Sequence, residues 1–136
     1  MAFDDIQTGC VIEYQYLWRR EALSGQIEGL KRRPSAVAFR MVGKQTDIIY
    51  LMPITTKVPD TGTLAIEVPQ IEKKRAGLDL DYRQWIILSE MNADLIAGSF
   101  VLEPNSKIGM FSKAFFQTVL RQWKQNQASS AITKRR

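Results

Sequence analysis

Histidine is absent from the chain, and several chemistries go with it. A Ser–His–Asp triad, a Cys–His nucleophile pair and histidine-based metal sites are all excluded. Cysteine is nearly absent too. Cys10 stands alone, so no internal disulfide forms, and this usage suits a reducing cytoplasm. Its place at the start of a predicted strand marks it as a small buried side chain rather than a nucleophile. Long apolar runs are missing: the longest, IIYLMPI, is far too short to cross a bilayer. The opening MAFDDIQTG lacks the basic and apolar regions of a signal peptide. A soluble, cytoplasmic protein with no membrane association is the expectation.

Acid is missing from the last part of the chain. After Glu103 no Asp or Glu occurs, while Lys107, Lys113, Arg121, Lys124, Lys134, Arg135 and Arg136 follow. Residues 18–33 hold a second concentration, with Arg19, Arg20, Lys31, Arg32 and Arg33 against Glu21 and Glu28. The net charge is +5. Clustered positive charge favours polyanionic partners, nucleic acid first, although a merely soluble basic surface fits the charge equally well. A length of 136 residues, 45% of them hydrophobic, allows one domain with a real core and leaves little room for a second.

Alternation of apolar and polar residues over GCVIEYQYL (9–17) predicts a first strand, with Ile12, Tyr14 and Tyr16 on one face. Trp18 continues that face into a polar segment read as a loop. PSAVAFRMV (34–42) and DIIYLMPIT (47–55) form a hairpin around GKQT. TLAIEVP is a fourth strand, PQIEKKRAG a short helix between Pro69 and Gly77, RQWIILSEMN a fifth strand and SFVLEP a short sixth. Lys73, Lys74 and Arg75 read as a solvated helix face. A last helix runs from Ser112 as N-cap to about Gln127, with Phe115, Phe116, Val119, Leu120 and Trp123 as its apolar stripe. The residues 128–136 have nothing evident to pack against and are expected to fray. The fold class is mainly β with helices (α+β): one domain over 1–136, a small, strongly bent β-barrel over about 9–110, a short helix after strand four and a C-terminal helix over about 112–127.

The hairpin register can be worked out. With Lys44 and Gln45 at the turn centre, Val37 faces Met52, Phe39 faces Tyr50 and Met41 faces Ile48. All three pairs are apolar on one side of the ribbon. The same count sets Pro34 against Thr55 and Arg33 against Thr56. A cation run, Lys31, Arg32 and Arg33, is thus delivered by Pro34 to the open end of the hairpin, beside a threonine pair. Pro53 cannot donate a ladder hydrogen bond, so an edge or a bulge is expected there.

These segments, in this order, resemble the PemK/MazF family of toxin–antitoxin ribonucleases. The pieces that carry the resemblance are GCVIEYQYLW, EGLKRRPSAV, YLMPITT, AIEVP with AGLD, and WIILSEMN. Each motif is short; their order and spacing over about residues 9–120 make the likeness. The resemblance implies an SH3-like barrel of the kind shared by MazF, Kid and CcdB. It also implies a homodimer, a cognate antitoxin partner, and metal-independent cleavage of single-stranded RNA by the 2′-hydroxyl, with no cofactor. It puts the family's arginine before proline on Arg33 and its Pro-Ile-Thr threonine on Thr55. A glutamate that some members carry five residues before the arginine corresponds to Glu28. The arginine that many members have in the fifth-strand region is replaced here by Asn92, Ala93 and Asp94.

The chemistry suits these residues. Phosphodiester cleavage needs charge stabilised on non-bridging oxygens, and a fixed, planar guanidinium presents paired donors for that purpose. Arg33 is the expected anchor, Thr55 a hydroxyl donor and Glu28 an acceptor for the 2′-hydroxyl proton. Trp18 is a candidate to stack on a base, with Arg19, Arg20, Lys31, Arg32, Thr56, Glu90 and Asn92 as candidate RNA contacts. Each has a plainer alternative: a salt bridge for Arg33, a strand threonine for Thr55, core for Trp18, and strand caps for Glu90 and Asn92. Two other classes of function compete. One is a non-catalytic binder on the same barrel, either a CcdB-like gyrase partner or a toxin relic that engages only its antitoxin. The other is an SH3-like nucleic-acid module acting by charge and stacking.

Overall fold

The structure, a computed structural model, describes residues 3–25 and 31–135. Among these residues, eight strands, mostly antiparallel, and three α-helices follow in order. They are β1 (Cys10–Tyr14), α1 (Arg19–Leu23), β2 (Arg33–Met41), β3 (Ile48–Thr55), β4 (Ala65–Glu67), α2 (Gln70–Arg75), β5 (Trp85–Ile87), β6 (Glu90–Leu95), β7 (Lys107–Met110), α3 (Lys113–Gln125) and β8 (Ala131–Lys134). Among the described residues, no helix is long and apolar enough to cross a membrane. The predicted first strand, hairpin, fourth strand and both predicted helices are present. α1 is a short helix inside the segment read as loop.

The β2–β3 hairpin is the spine of the sheet. β1 pairs antiparallel with β2 and with β7, while β3 carries β5 and β6 along its other side. Near the turn the register is the expected one, with Met41 opposite Ile48 and Phe39 opposite Tyr50. It then shifts between Val37 and Phe39, so that Val37 faces Leu51 rather than Met52 and Ala38 is left without a counterpart. The extra residue reverses the alternation. Ala36, Ala38, Met52 and Ile54 face one core, and Phe39 and Tyr50 join that same side. Val37, Ile49 and Leu51 face the other core, with Ile12, Tyr14 and Tyr16. Val37 and Phe39 therefore lie on opposite faces, contrary to the simple register.

α3 covers the first face. Ser112 caps it as expected, its hydroxyl accepting from the Phe115 amide at 3.2 Å. Phe116 and Val119 are buried, and the Trp123 ring meets Phe39 edge-on at 5.1 Å. The helix stripe is thus core, as its spacing required.

Four expectations need correction. The predicted fifth strand is two strands: three steps along β3, from Ile54 to Leu51, correspond to six along the partner, from Ile86 to Asn92. The break lies across from Met52 and Pro53, so the irregularity expected at the proline falls on the neighbouring strand instead. SFVLEP is not a strand; the next one is β7, whose Gly109 lies so close to the backbone of Ala76 that a Cβ has no room. Residues 131–134 do not fray but form β8, parallel to β6. Finally, α2 does not present all of its charges to water. Lys73 is buried, its Nζ donating to the Tyr82 carbonyl at 2.8 Å, and Glu72 is buried beneath the start of α3.

Glu72 joins the two helices. Its carboxylate accepts from the Ser112 amide and hydroxyl, both at 2.8 Å, and pairs with Arg75 at 2.6 Å. Burial works to raise its pKa, but the Ser112 bonds and Arg75 outweigh that and hold the carboxyl below the ordinary value of 4.5. A depressed carboxyl contributes stability that is complete above the ordinary value and is lost as pH falls through the lower folded value. Glu72→Gln should therefore destabilise the protein at pH 7 by about 1–2 kcal/mol. Thermal melts should show the gap to wild type closing on acidification below about pH 4.5.

Candidate functional site

The open end of the β2–β3 hairpin, the residues after β3 and the β5–β6 break surround an open hollow of about 390 Å³. Pro34 fixes the chain where β2 begins, which brings Arg33 to this end. Thr55 closes β3, and its hydroxyl accepts from the Lys57 amide at 3.1 Å, turning the chain out of the sheet. Arg33 and Thr55 both line the hollow, with Thr56, Trp18, Arg20 and Glu90. The shift at Ala38, carried on from the Ser35–Pro53 pair, sets Arg33 level with Thr55 rather than Thr56.

Arg33 is half-buried. Its guanidinium carbon lies 5.3 Å from the centre of the Trp18 ring, and that of Arg20 lies 4.8 Å from the same ring. One indole thus holds two cations, each within cation–π range. The Arg33 Nε and the Trp18 Nε1 are enclosed and have no hydrogen-bond partner among the described residues. Both belong to residues that line the hollow, and four further enclosed polar atoms, on Ser106, Trp123, Ser130 and Arg135, lie outside it. The charge balance is three cations, Arg20, Arg33 and Lys57, against Asp60 and Glu90.

The wall that holds Trp18 is suspended from β6. Asn92, fully buried, receives the Leu17 amide on Oδ1 at 2.8 Å and donates Nδ2 to the Leu17 carbonyl at 2.7 Å. Glu90 Oε1 accepts from the Arg19 amide at 2.9 Å and the Tyr16 hydroxyl at 3.1 Å. Glu21 reaches back to the Trp18 amide at 3.0 Å, opening α1 and carrying Arg20 to the hollow. Burial and the Glu90 carboxylate push the Tyr16 hydroxyl well above the usual phenol range, and burial with Asp94 does the same for Tyr14. Both tyrosines stay neutral donors.

The remaining sequence candidates divide. Glu28 lies outside the described residues. Arg32 turns away to pair with Glu103 at 2.8 Å and to donate to the Glu13 carbonyl. Lys31 and Arg19 are exposed and do not line the hollow. Asn92 does not reach it either, because its amide is committed to Leu17. Trp18 lines it but is only 7% exposed, and both its cations compete with a stacked base. Sequence reasoning missed Lys57, Asp60 and Ser89. The signal for Lys57 was its position directly after the threonine pair, at the head of the turn-forming KVPDTG. Cys10 is buried at the start of β1, and burial pushes its thiol up, as expected for a structural cysteine.

The chain matches no protein-family model and no curated protein sequence.

Asn92→Ala should cost roughly 2–5 kcal/mol, because it strands both backbone groups of Leu17 in a buried place. Urea denaturation measures this, and the same substitution at exposed Asn126 should change stability by less than about 0.5 kcal/mol.

Proposed function

We propose that this chain is an endoribonuclease of the toxin type. It cuts single-stranded RNA without a metal, works as a homodimer on an SH3-like barrel, and is held in check by a cognate antitoxin protein. The observation that carries this reading is the meeting of Arg33 and Thr55 in one open hollow, where the half-buried guanidinium is joined by two further cations, Arg20 and Lys57. Phosphate oxygens suit such a donor.

In the proposed reaction the ribose 2′-oxygen attacks the adjacent phosphorus and the bond to the 5′-oxygen breaks. A 2′,3′-cyclic phosphate and a 5′-hydroxyl result. Arg33 stabilises charge growing on the non-bridging oxygens, and Thr55 donates its hydroxyl to the same phosphate. Glu28 takes the 2′-hydroxyl proton, and the departing 5′-oxygen is protonated from water. The cations Arg20 and Lys57 draw the neighbouring phosphates to the hollow.

One observation favours a second reading, a binding protein without catalysis on the same scaffold. Glu90, a carboxylate of the hollow, has its Oε1 committed to Tyr16 and Arg19 and serves as a structural acceptor.

Incubation of purified protein with a long single-stranded RNA, with and without EDTA, separates the two. Cleavage should proceed unchanged in EDTA. Arg33→Ala should lower the rate about 10²–10³-fold, and Thr55→Val about tenfold. No cleavage by wild type, or equal cleavage by Arg33→Ala, ends the ribonuclease reading. Growth inhibition retained by Arg33→Ala, with capture of gyrase, favours the binder.

A further inference from the structure

The wall of the hollow depends on a side chain that the proposed reaction does not use. Arg135, directly after β8, sends Nη1 to the Gln15 carbonyl at 2.6 Å and to Asn92 Oδ1 at 3.2 Å. Its guanidinium lies 5.4 Å from the centre of the Tyr14 ring, and its amide donates to the Ala93 carbonyl at 2.9 Å. The Tyr14 hydroxyl in turn donates to buried Asp94 at 2.7 Å. Arg135 therefore supplies the cation in an interior that holds Asp94, Asn92 and two tyrosines.

The strand that brings Arg135 there is short and lies at the rim of the sheet. β8 is four residues long, pairs with β6 alone among the described residues, and leaves Ile132 51% exposed. The inserted guanidinium adds side-chain bonds to the backbone pairing with β6. From it, bonds run without a gap to the hollow. Arg135 holds Gln15 and Asn92, Asn92 holds both groups of Leu17, and Glu90 holds Arg19. The residue between Leu17 and Arg19 is Trp18, on which Arg33 and Arg20 pack. α1 also packs along β8.

We propose that Arg135 is a positioning residue for the hollow: seated against Gln15, Asn92 and Tyr14, it fixes the segment 15–19 and so the Trp18–Arg20 wall on which Arg33 rests. Docking of β8 and anion binding are then coupled, and each favours the other. This coupling rests on reading the hollow as a phosphate site; the positioning itself does not.

Native-state amide hydrogen exchange on the wild-type protein, with and without inorganic pyrophosphate, tests both parts. The amides of Leu17, Arg19 and Arg135 should open as one unit, more readily than those of β2 and β3. Pyrophosphate should slow all three, including Arg135, which does not line the hollow. Arg135→Ala should speed exchange at Leu17 and Arg19 and weaken pyrophosphate binding by about tenfold each, with β2–β3 exchange unchanged. Arg135→Lys, which keeps the charge, should recover part of both. Fast exchange at Arg135 beside fully protected Leu17 and Arg19 overturns the proposal, as does wild-type protection of those amides in Arg135→Ala. If Arg135→Ala does not fold, the wild-type exchange pattern decides. If pyrophosphate fails to bind the wild type, the phosphate reading of the hollow falls, and joint opening alone decides the positioning role.

Discussion

Ala38 sits in the β2–β3 ladder with nothing across from it, and the two faces of the hairpin are arranged around that residue. On the turn side of the bulge, Phe39 and Tyr50 look toward α3. On the other side, Ala36 and Met52 do so, while Val37 and Leu51 look the opposite way. A strand in perfect alternation cannot set Phe39 against Trp123 on one face and Val37 in the core of Cys10 and Ile12 on the other. The shift that solves this packing problem also moves the open end by one residue and brings Arg33 level with Thr55. Core packing and site geometry share one cause.

The hollow gathers positive charge by a means that costs little solvation. Two guanidinium groups lie on one indole, and a third cation, Lys57, follows on a turn held by Thr55. The ring quadrupole offsets part of the repulsion between the arginines, and the flat guanidinium sheds water more readily than an ammonium. Arg33, half-buried and resting on the Trp18 ring, is held in place before an anion arrives, so little reorganisation is left for binding. Trp18 acts here as a platform for cations, and its enclosure follows from that.

Much of this was legible in the residues. Ser112 and the Phe116–Val119 stripe located α3, because a cap and a helical period are local signals. The turn at Lys44–Gln45 gave the hairpin, and the run into Pro34 gave the place of Arg33. Ala38 was not legible, since an alanine fits either face and its bulge answers to α3, distant in sequence. Asn92 read as a cleft residue because an amide near a strand end has no local partner; its partner is Leu17, across the fold. Residues 131–134 read as a frayed tail for the same reason. Their partner is β6, about 40 residues earlier, and nothing in SAITK announces a parallel pairing.

β8 also gives the molecule an order of assembly. A nascent chain emerging from the ribosome has β1, β2, β3 and β6 in hand well before residues 131–135 are made. Until then the peptide segment before Trp18 lacks its guanidinium support, and the outer edge of β6 stands open. The sheet gains β8 only after its other strands have been made, so a translation product interrupted before residue 131 carries the cations of the hollow on a wall not yet braced.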